Sequence, residues 1–158
     1  MAVPYFAAFF VTRRCLPAML RRRAGHIVNI NSPAAYGAWP GAAGYTAARY
    51  ALYGYTAALR VDLYGTGVKV TSVVAGRVSS EYFDRNQGVT ERLPTIGRLT
   101  RTVTPDEVAR AVVFGIEHNR REVVLPVSLR VFLALNAVAP WLVERALIRT
   151  GWKHPPLP

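Results

Sequence analysis

Tyr45 and Arg49 stand four residues apart, and Ser32 lies thirteen residues before the tyrosine. On a helix, positions i and i+4 share one face a turn apart, so the Arg49 cation can lie beside the Tyr45 ring. A free phenol titrates near ~10, and a fixed cation at close range lowers that by roughly 1–3 units, toward the range in which it exchanges a proton near neutral pH. Ser32 ends the apolar run His26-Ile-Val-Asn-Ile-Asn-Ser32 and so projects from a strand end. A hydroxyl and a phenol that converge on one point suit carbonyl/alcohol chemistry, in which one group holds the oxygen and the other moves its proton. A tyrosine and an arginine one turn apart also occur by chance in ordinary helices, so the pair needs its surroundings to carry that reading.

The elements that must position these residues alternate along the chain. A helix is expected from about Pro4 to Arg22, a strand from His26 to Asn31 and a helix from about Gly44 to Tyr64, stopped by Gly65-Thr66-Gly67. Val68 to Val74, rich in β-branched residues, reads as the next strand. Between Ser80 and Thr102 lies a polar, irregular segment with Tyr82, Phe83, Asn86, Arg92 and Arg98, expected to be a loop with short helical pieces. Its aromatics either face a substrate or pin the loop to the core. Thr104-Pro105-Asp106-Glu107 is a helix start, with a hydroxyl cap, an early proline and a glutamate three residues after the cap; that helix should run to about His118. Glu122 to Leu125 follows as a short strand, then Ser128 to Thr150 as a helix that Pro140 kinks, and residues 153–158 as a loose tail. Such alternation argues for an α/β domain over residues 1–152, a parallel sheet with helices on both faces.

The stretch Gly25-His-Ile-Val-Asn-Ile-Asn-Ser32-Pro-Ala-Ala-Tyr36, followed by Gly44-Tyr45-Thr-Ala-Ala-Arg49 and later by the turn Ala75-Gly76-Arg77-Val78-Ser79-Ser80, resembles the core of the short-chain dehydrogenase/reductase family. That family has a strand ending in a serine, a helix bearing Tyr-x-x-x-Lys, and a strand followed by a Pro-Gly-x-Val-x-Thr-like turn. The resemblance runs from about residue 3 to about residue 152 and implies part of a Rossmann-like three-layer domain. It implies that Tyr45 exchanges the proton at the substrate oxygen while a nicotinamide ring gives or takes hydride, and that Ser32 holds that oxygen. It places Arg49 where the family has the lysine that acidifies the tyrosine and binds the nicotinamide ribose. It lays the Ala75 to Ser80 turn along the nicotinamide, with Ala75, Gly76, Val78 and Ser80 joining Tyr45 and Arg49 as cofactor contacts and the Val78 backbone at the carboxamide. The implied cofactor is NAD or NADP, and the implied substrate a small carbonyl compound or secondary alcohol.

Three departures accompany the likeness. Arg49 keeps the charge of the family lysine but replaces a compact donor with a wide planar fork. Pro4 occupies the place of an Asn that supports a proton-relay water. No glycine-rich phosphate loop precedes the first helix, although such a loop normally anchors a dinucleotide's pyrophosphate at a helix N-terminus. The expectation is therefore the C-terminal part of such an enzyme, truncated and impaired in cofactor binding. A second expectation is a non-catalytic remnant that associates through its two long helices.

Hydrophobic residues make up 51% of the 158, enough for a sizeable core. A sheet lacking neighbouring strands leaves an edge open, which favours a homo-oligomer. The lone Cys15 forms no internal disulfide and is expected to be a small buried packing residue, and His26, His118 and His154 are too isolated for a metal site. These features suit a cytoplasmic setting. The net charge of +11 has no nucleic-acid motif beside it and reads first as a solvated basic surface. Neither Ala2 to Thr12 nor Val131 to Val143 reaches the ~20 apolar residues of a spanning helix, but the second, bracketed by Arg130 on one side and by Glu144, Arg145 and Arg149 on the other, reads either as simple packing or as a peripheral contact with a membrane surface.

Overall fold

The computed structural model describes residues 2–81, 85–86 and 89–153. A π-helical turn, Ala2–Phe6, leads into α1 (Ala7–Arg22), so the expected first helix is present but begins in a wider spiral around Pro4. Arg21 and Arg22 lie in its last turn, at the negative end of the helix dipole. Then follow β1 (Gly25–Asn31), α2 (Ala43–Asp62) and β2 (Val68–Ala75), each within two residues of its expected bounds, with an unexpected 3₁₀ turn (Pro33–Ala35) between β1 and α2. The Ser80 to Thr102 segment contains α3 (Val89–Arg92) and a 3₁₀ turn (Thr95–Leu99), as its composition suggested; Tyr82 and Phe83 lie outside the described residues, as does His154 with the rest of the tail from residue 154.

The chain closes with α4 (Pro105–Glu117), β3 (Glu122–Leu125), α5 (Leu129–Val138) and α6 (Pro140–Thr150). At the start of α4 the Thr104 hydroxyl accepts from the Glu107 N–H while the Glu107 carboxylate accepts from the Thr104 N–H at 2.8 Å, a reciprocal cap. Pro140 does more than kink the last helix. Ala139 leaves the helical region, and two separate helices result, because proline lacks the N–H to continue the ladder and disfavours helical backbone in the residue before it.

The three strands form a parallel sheet in the order β1-β2-β3. On one face Ile27 and Val70 pack with Leu59 and Leu63 of the α2 end, and Leu16, Met19 and Tyr55 close over them, so α1 and α2 share that side. On the other face α4 comes so close that a Cβ on Gly115 would sit 3.0 Å from the Thr71 methyl. The result is the three-layer α/β arrangement. Gly67 lets β2 start beside the end of α1: its φ is +88°, and a Cβ there would fall 2.0 Å from the Arg23 carbonyl oxygen. Cys15 is exposed, not buried, because it lies on the outer side of α1, away from the Leu16 and Met19 positions that meet the sheet.

Candidate active site

The parallel register pairs Asn31 with Val74, so Ser32 and Ala75 leave the sheet at neighbouring carboxyl ends. Ser32 turns out of β1 in extended conformation (φ −142°, ψ 158°) and caps the 3₁₀ turn, its Oγ accepting from the Ala34 N–H at 3.3 Å. That bond uses an oxygen lone pair and leaves the hydroxyl hydrogen to donate elsewhere. The turn packs against α2, the helix that carries Tyr45 and Arg49.

Asn31 ties the two together. Buried at 3% exposure, its Oδ1 accepts from the Ser32 N–H at 2.9 Å, and its Nδ2 donates to the Arg49 carbonyl at 3.4 Å. Tyr45 lies in the first turn of α2, half-buried, its ring centroid 6.2 Å from that of Trp39. The Arg49 guanidinium carbon stands 5.0 Å from the centre of the same ring, and its Nη1 donates to the Ile30 carbonyl of β1 at 3.0 Å. The cation is thus clamped between a strand carbonyl and the electron-rich ring face. The Arg49 Nε is buried with no hydrogen-bond partner among the described residues, as is the Thr46 Oγ1 beside it on α2. Together these residues present a hydroxyl donor, a phenol with a fixed neighbouring cation, and an uncommitted guanidinium donor on the carboxyl side of the sheet.

The residues after β2 divide in their roles. Ala75 is buried and pairs with Leu125, and Gly76 donates to the Leu125 carbonyl at 2.8 Å. A Cβ on Gly76 would stand 3.2 Å from Pro126 Cδ, a tight approach to the residue that follows β3. Val78 forms a single parallel bridge with Val103, in which the Val103 N–H donates to the Arg77 carbonyl and the Ser79 N–H to the Val103 carbonyl. The pleat therefore turns Val78's own N–H and C=O to the opposite side. Ser80 is exposed at the far end of this segment.

The motif by itself assigns no role to Asn31 or Trp39. The signal for Asn31 was legible: Asn29 and Asn31 alternate into a face otherwise apolar, and a buried asparagine needs partners. Asn29 finds its partner in the Thr56 hydroxyl at 2.9 Å. Nor does the motif assign a role to Tyr36. Its O–H donates to the Glu122 carboxylate, and burial first, then that bond, push the phenol's pKa well above its ordinary value. Tyr36, Tyr53, Arg60, Ser72 and Glu122 line a cavity of about 470 Å³ on the α2 side of the sheet, away from the Tyr45 end of the helix.

Known proteins are similar to this chain in sequence and in fold. The family model for short chain dehydrogenases matches residues 1–88. The NADP-dependent 3-hydroxy acid dehydrogenase YdfG of Escherichia coli is 37% identical over 107 residues, which cover 65% of this chain and 42% of that protein. Human short-chain dehydrogenase/reductase 3 is 32% identical over 133 residues, 84% of this chain and 42% of the relative. Among solved structures, a short chain dehydrogenase from Burkholderia cenocepacia in complex with NADP superposes with a TM-score of 0.75 at 24% identity, over 92% of this chain and 56% of that one. The chain thus spans under half the length of the relatives it matches in sequence. With more than half of its residues under the family model, the chain belongs to the short-chain dehydrogenase family.

Proposed function

We propose that this chain carries the catalytic end of an oxidoreductase that moves hydride between NAD or NADP and a small carbonyl compound or secondary alcohol. The observation that carries this reading is the joining of the Ser32 turn to the Tyr45–Arg49 turn through Asn31, beside the strand end that begins the Ala75 to Ser80 segment. In this reading Ser32 donates a hydrogen bond to the substrate oxygen and Tyr45 gives or takes its proton. Arg49, stacked on the Tyr45 ring and tied to the Ile30 carbonyl, holds that phenol in place. The donor set fits a nicotinamide riboside: the uncommitted Arg49 Nε suits a ribose hydroxyl, and the outward Val78 amide suits a carboxamide. When bound, the nicotinamide supplies the hydride chemistry, which no side chain here offers. The pyrophosphate and adenosine contacts that hold most of a dinucleotide have no counterpart among these residues, so weak binding is expected from this chain alone. Titration with NADPH and NADH should change the nicotinamide fluorescence in the millimolar range; no change at millimolar cofactor would refute the assignment for this polypeptide.

A second reading has its own observation. Phe6, Phe10 and Val11 of the first helical segment and Tyr50 and Tyr53 of α2 are exposed by 40–63%. That much aromatic surface on two paired helices suits self-association or pairing with a longer relative, with or without catalysis. Light scattering that shows a monomer, together with no co-elution with a full-length relative, removes this reading. A cytoplasmic setting belongs to the same proposal.

A further inference from the structure

The outward side of α5 is built the wrong way round for a helix at a protein's surface. Val131, Ala134, Leu135 and Val138 are spaced i, i+3, i+4 and i+7, which places them on one face, and all four are exposed; Val131 is 72% and Val138 85% accessible. The opposite side is also apolar, with Leu129 buried and Phe132 and Leu133 packed against Val74 and Val124. Val127 precedes the stripe, and Trp141 and Leu142 follow it directly after the break at Ala139, exposed by 68%, 62% and 43%. Arg130, Arg145 and Arg149 are exposed around this apolar surface with Glu144 as the acid among them, a local balance of three positive charges against one negative.

We infer that α5 and the start of α6 form a membrane-docking surface that seats on an anionic bilayer, with the apolar stripe in the interfacial region and the three arginines at the headgroups. Charge and size decide between the candidate occupants. A second copy of the chain meeting this face symmetrically would bring its own three arginines against the first three, and seven apolar side chains fall well short of the ~20–30 residues a side of a specific interface. An anionic lipid surface complements both the arginine collar and the overall charge of +11. Trp141 adds a ring suited to the boundary between headgroups and acyl chains. No helix among the described residues is long and apolar enough to cross a membrane, so the contact is one of lying on the surface.

The inference does not depend on the reaction proposed above, and its test reads no activity. The 158-residue chain is floated with vesicles of phosphatidylcholine alone and with vesicles that also contain phosphatidylserine. It should float with the second and much less with the first, and raised salt should weaken the binding. Val131→Asp with Leu135→Asp should reduce binding at least tenfold, and each of Arg130→Gln, Arg145→Gln and Arg149→Gln roughly fivefold on anionic vesicles alone. Val138→Asp, at the most exposed of these positions, repeats the apolar test should the double variant melt early. Failure of the wild type to float with anionic vesicles overturns the inference. So does undiminished flotation of the aspartate variants, or a dimer in light scattering that those same substitutions dissociate.

Discussion

Tyr36 and Tyr45 lie nine residues apart, on either side of the loop that joins the Ser32 turn to α2, and their electrostatic surroundings are opposite. Tyr36 is pinned to the Glu122 carboxylate, and its proton is held hard. Tyr45 has a guanidinium over its ring and no carboxylate among its described contacts. The phenol beside an anion keeps its proton and serves as a fixed strut, whereas the Tyr45 ring is held between a guanidinium and an indole. The first spans strand and turn, the second faces the carboxyl side of the sheet. One residue type thus does structural and candidate chemical work within a single turn-helix unit, and the partner charge separates the two.

The largest effect expected is on turnover. Tyr45→Phe should lower the rate of NADPH-dependent carbonyl reduction about 10²–10⁴-fold, the usual worth of a positioned acid–base group, while Tyr36→Phe should leave it within about threefold. Equal losses in the two variants would erase the distinction. Next comes the cation: Arg49→Gln should slow turnover about tenfold, and Arg49→Lys should keep most of the rate if charge rather than the fork is what matters.

For Tyr36 the readout is stability. Tyr36→Phe strands the Glu122 carboxylate and should cost about 1–3 kcal/mol in denaturant melts near neutral pH. Because folding raises the Tyr36 pKa, its contribution is fully present below the ordinary phenol value near ~10 and is lost as pH climbs above that value. The wild type should therefore lose stability faster than Tyr36→Phe on the alkaline side, and parallel curves would contradict the strut role. The smallest effect is at an exposed pair. The Arg101 guanidinium first, then the Thr104 N–H, hold the Glu107 carboxyl at about 2. Its contribution is present above the unfolded carboxyl value of 4.5 and fades as pH falls toward 2, so the melting temperatures of wild type and Glu107→Gln should converge in that window.

Much of this was legible in the sequence. The order and type of the elements followed from local signals: the Thr104 capping residues, the Gly65 and Gly67 stops, and the β-branched run from Val68. The Tyr45–Arg49 contact followed from helical spacing alone. What spacing could not give was anything set by partners far along the chain. Glu122 lies 86 residues from Tyr36, and no local pattern joins them. Cys15 looked like a packing residue because its neighbours are apolar, but one step around a helix turns a side chain by ~100°, enough to move it from core to solvent. The outward stripe on α5 was hidden for the same reason: an apolar run shows that a helix is greasy, and only tertiary packing shows which side is left uncovered.

The central claim is that the Ser32 hydroxyl and the Tyr45 phenol act on one substrate oxygen. A double-mutant cycle on turnover tests it most directly, with Ser32→Ala, Tyr45→Phe and the pair compared at saturating NADPH. Groups that work as a unit are strongly non-additive, so the double variant should be no slower than Tyr45→Phe alone. Losses that multiply, with the double variant slower by the product of the two single effects, would mean that the residues act at separate places and would contradict the account.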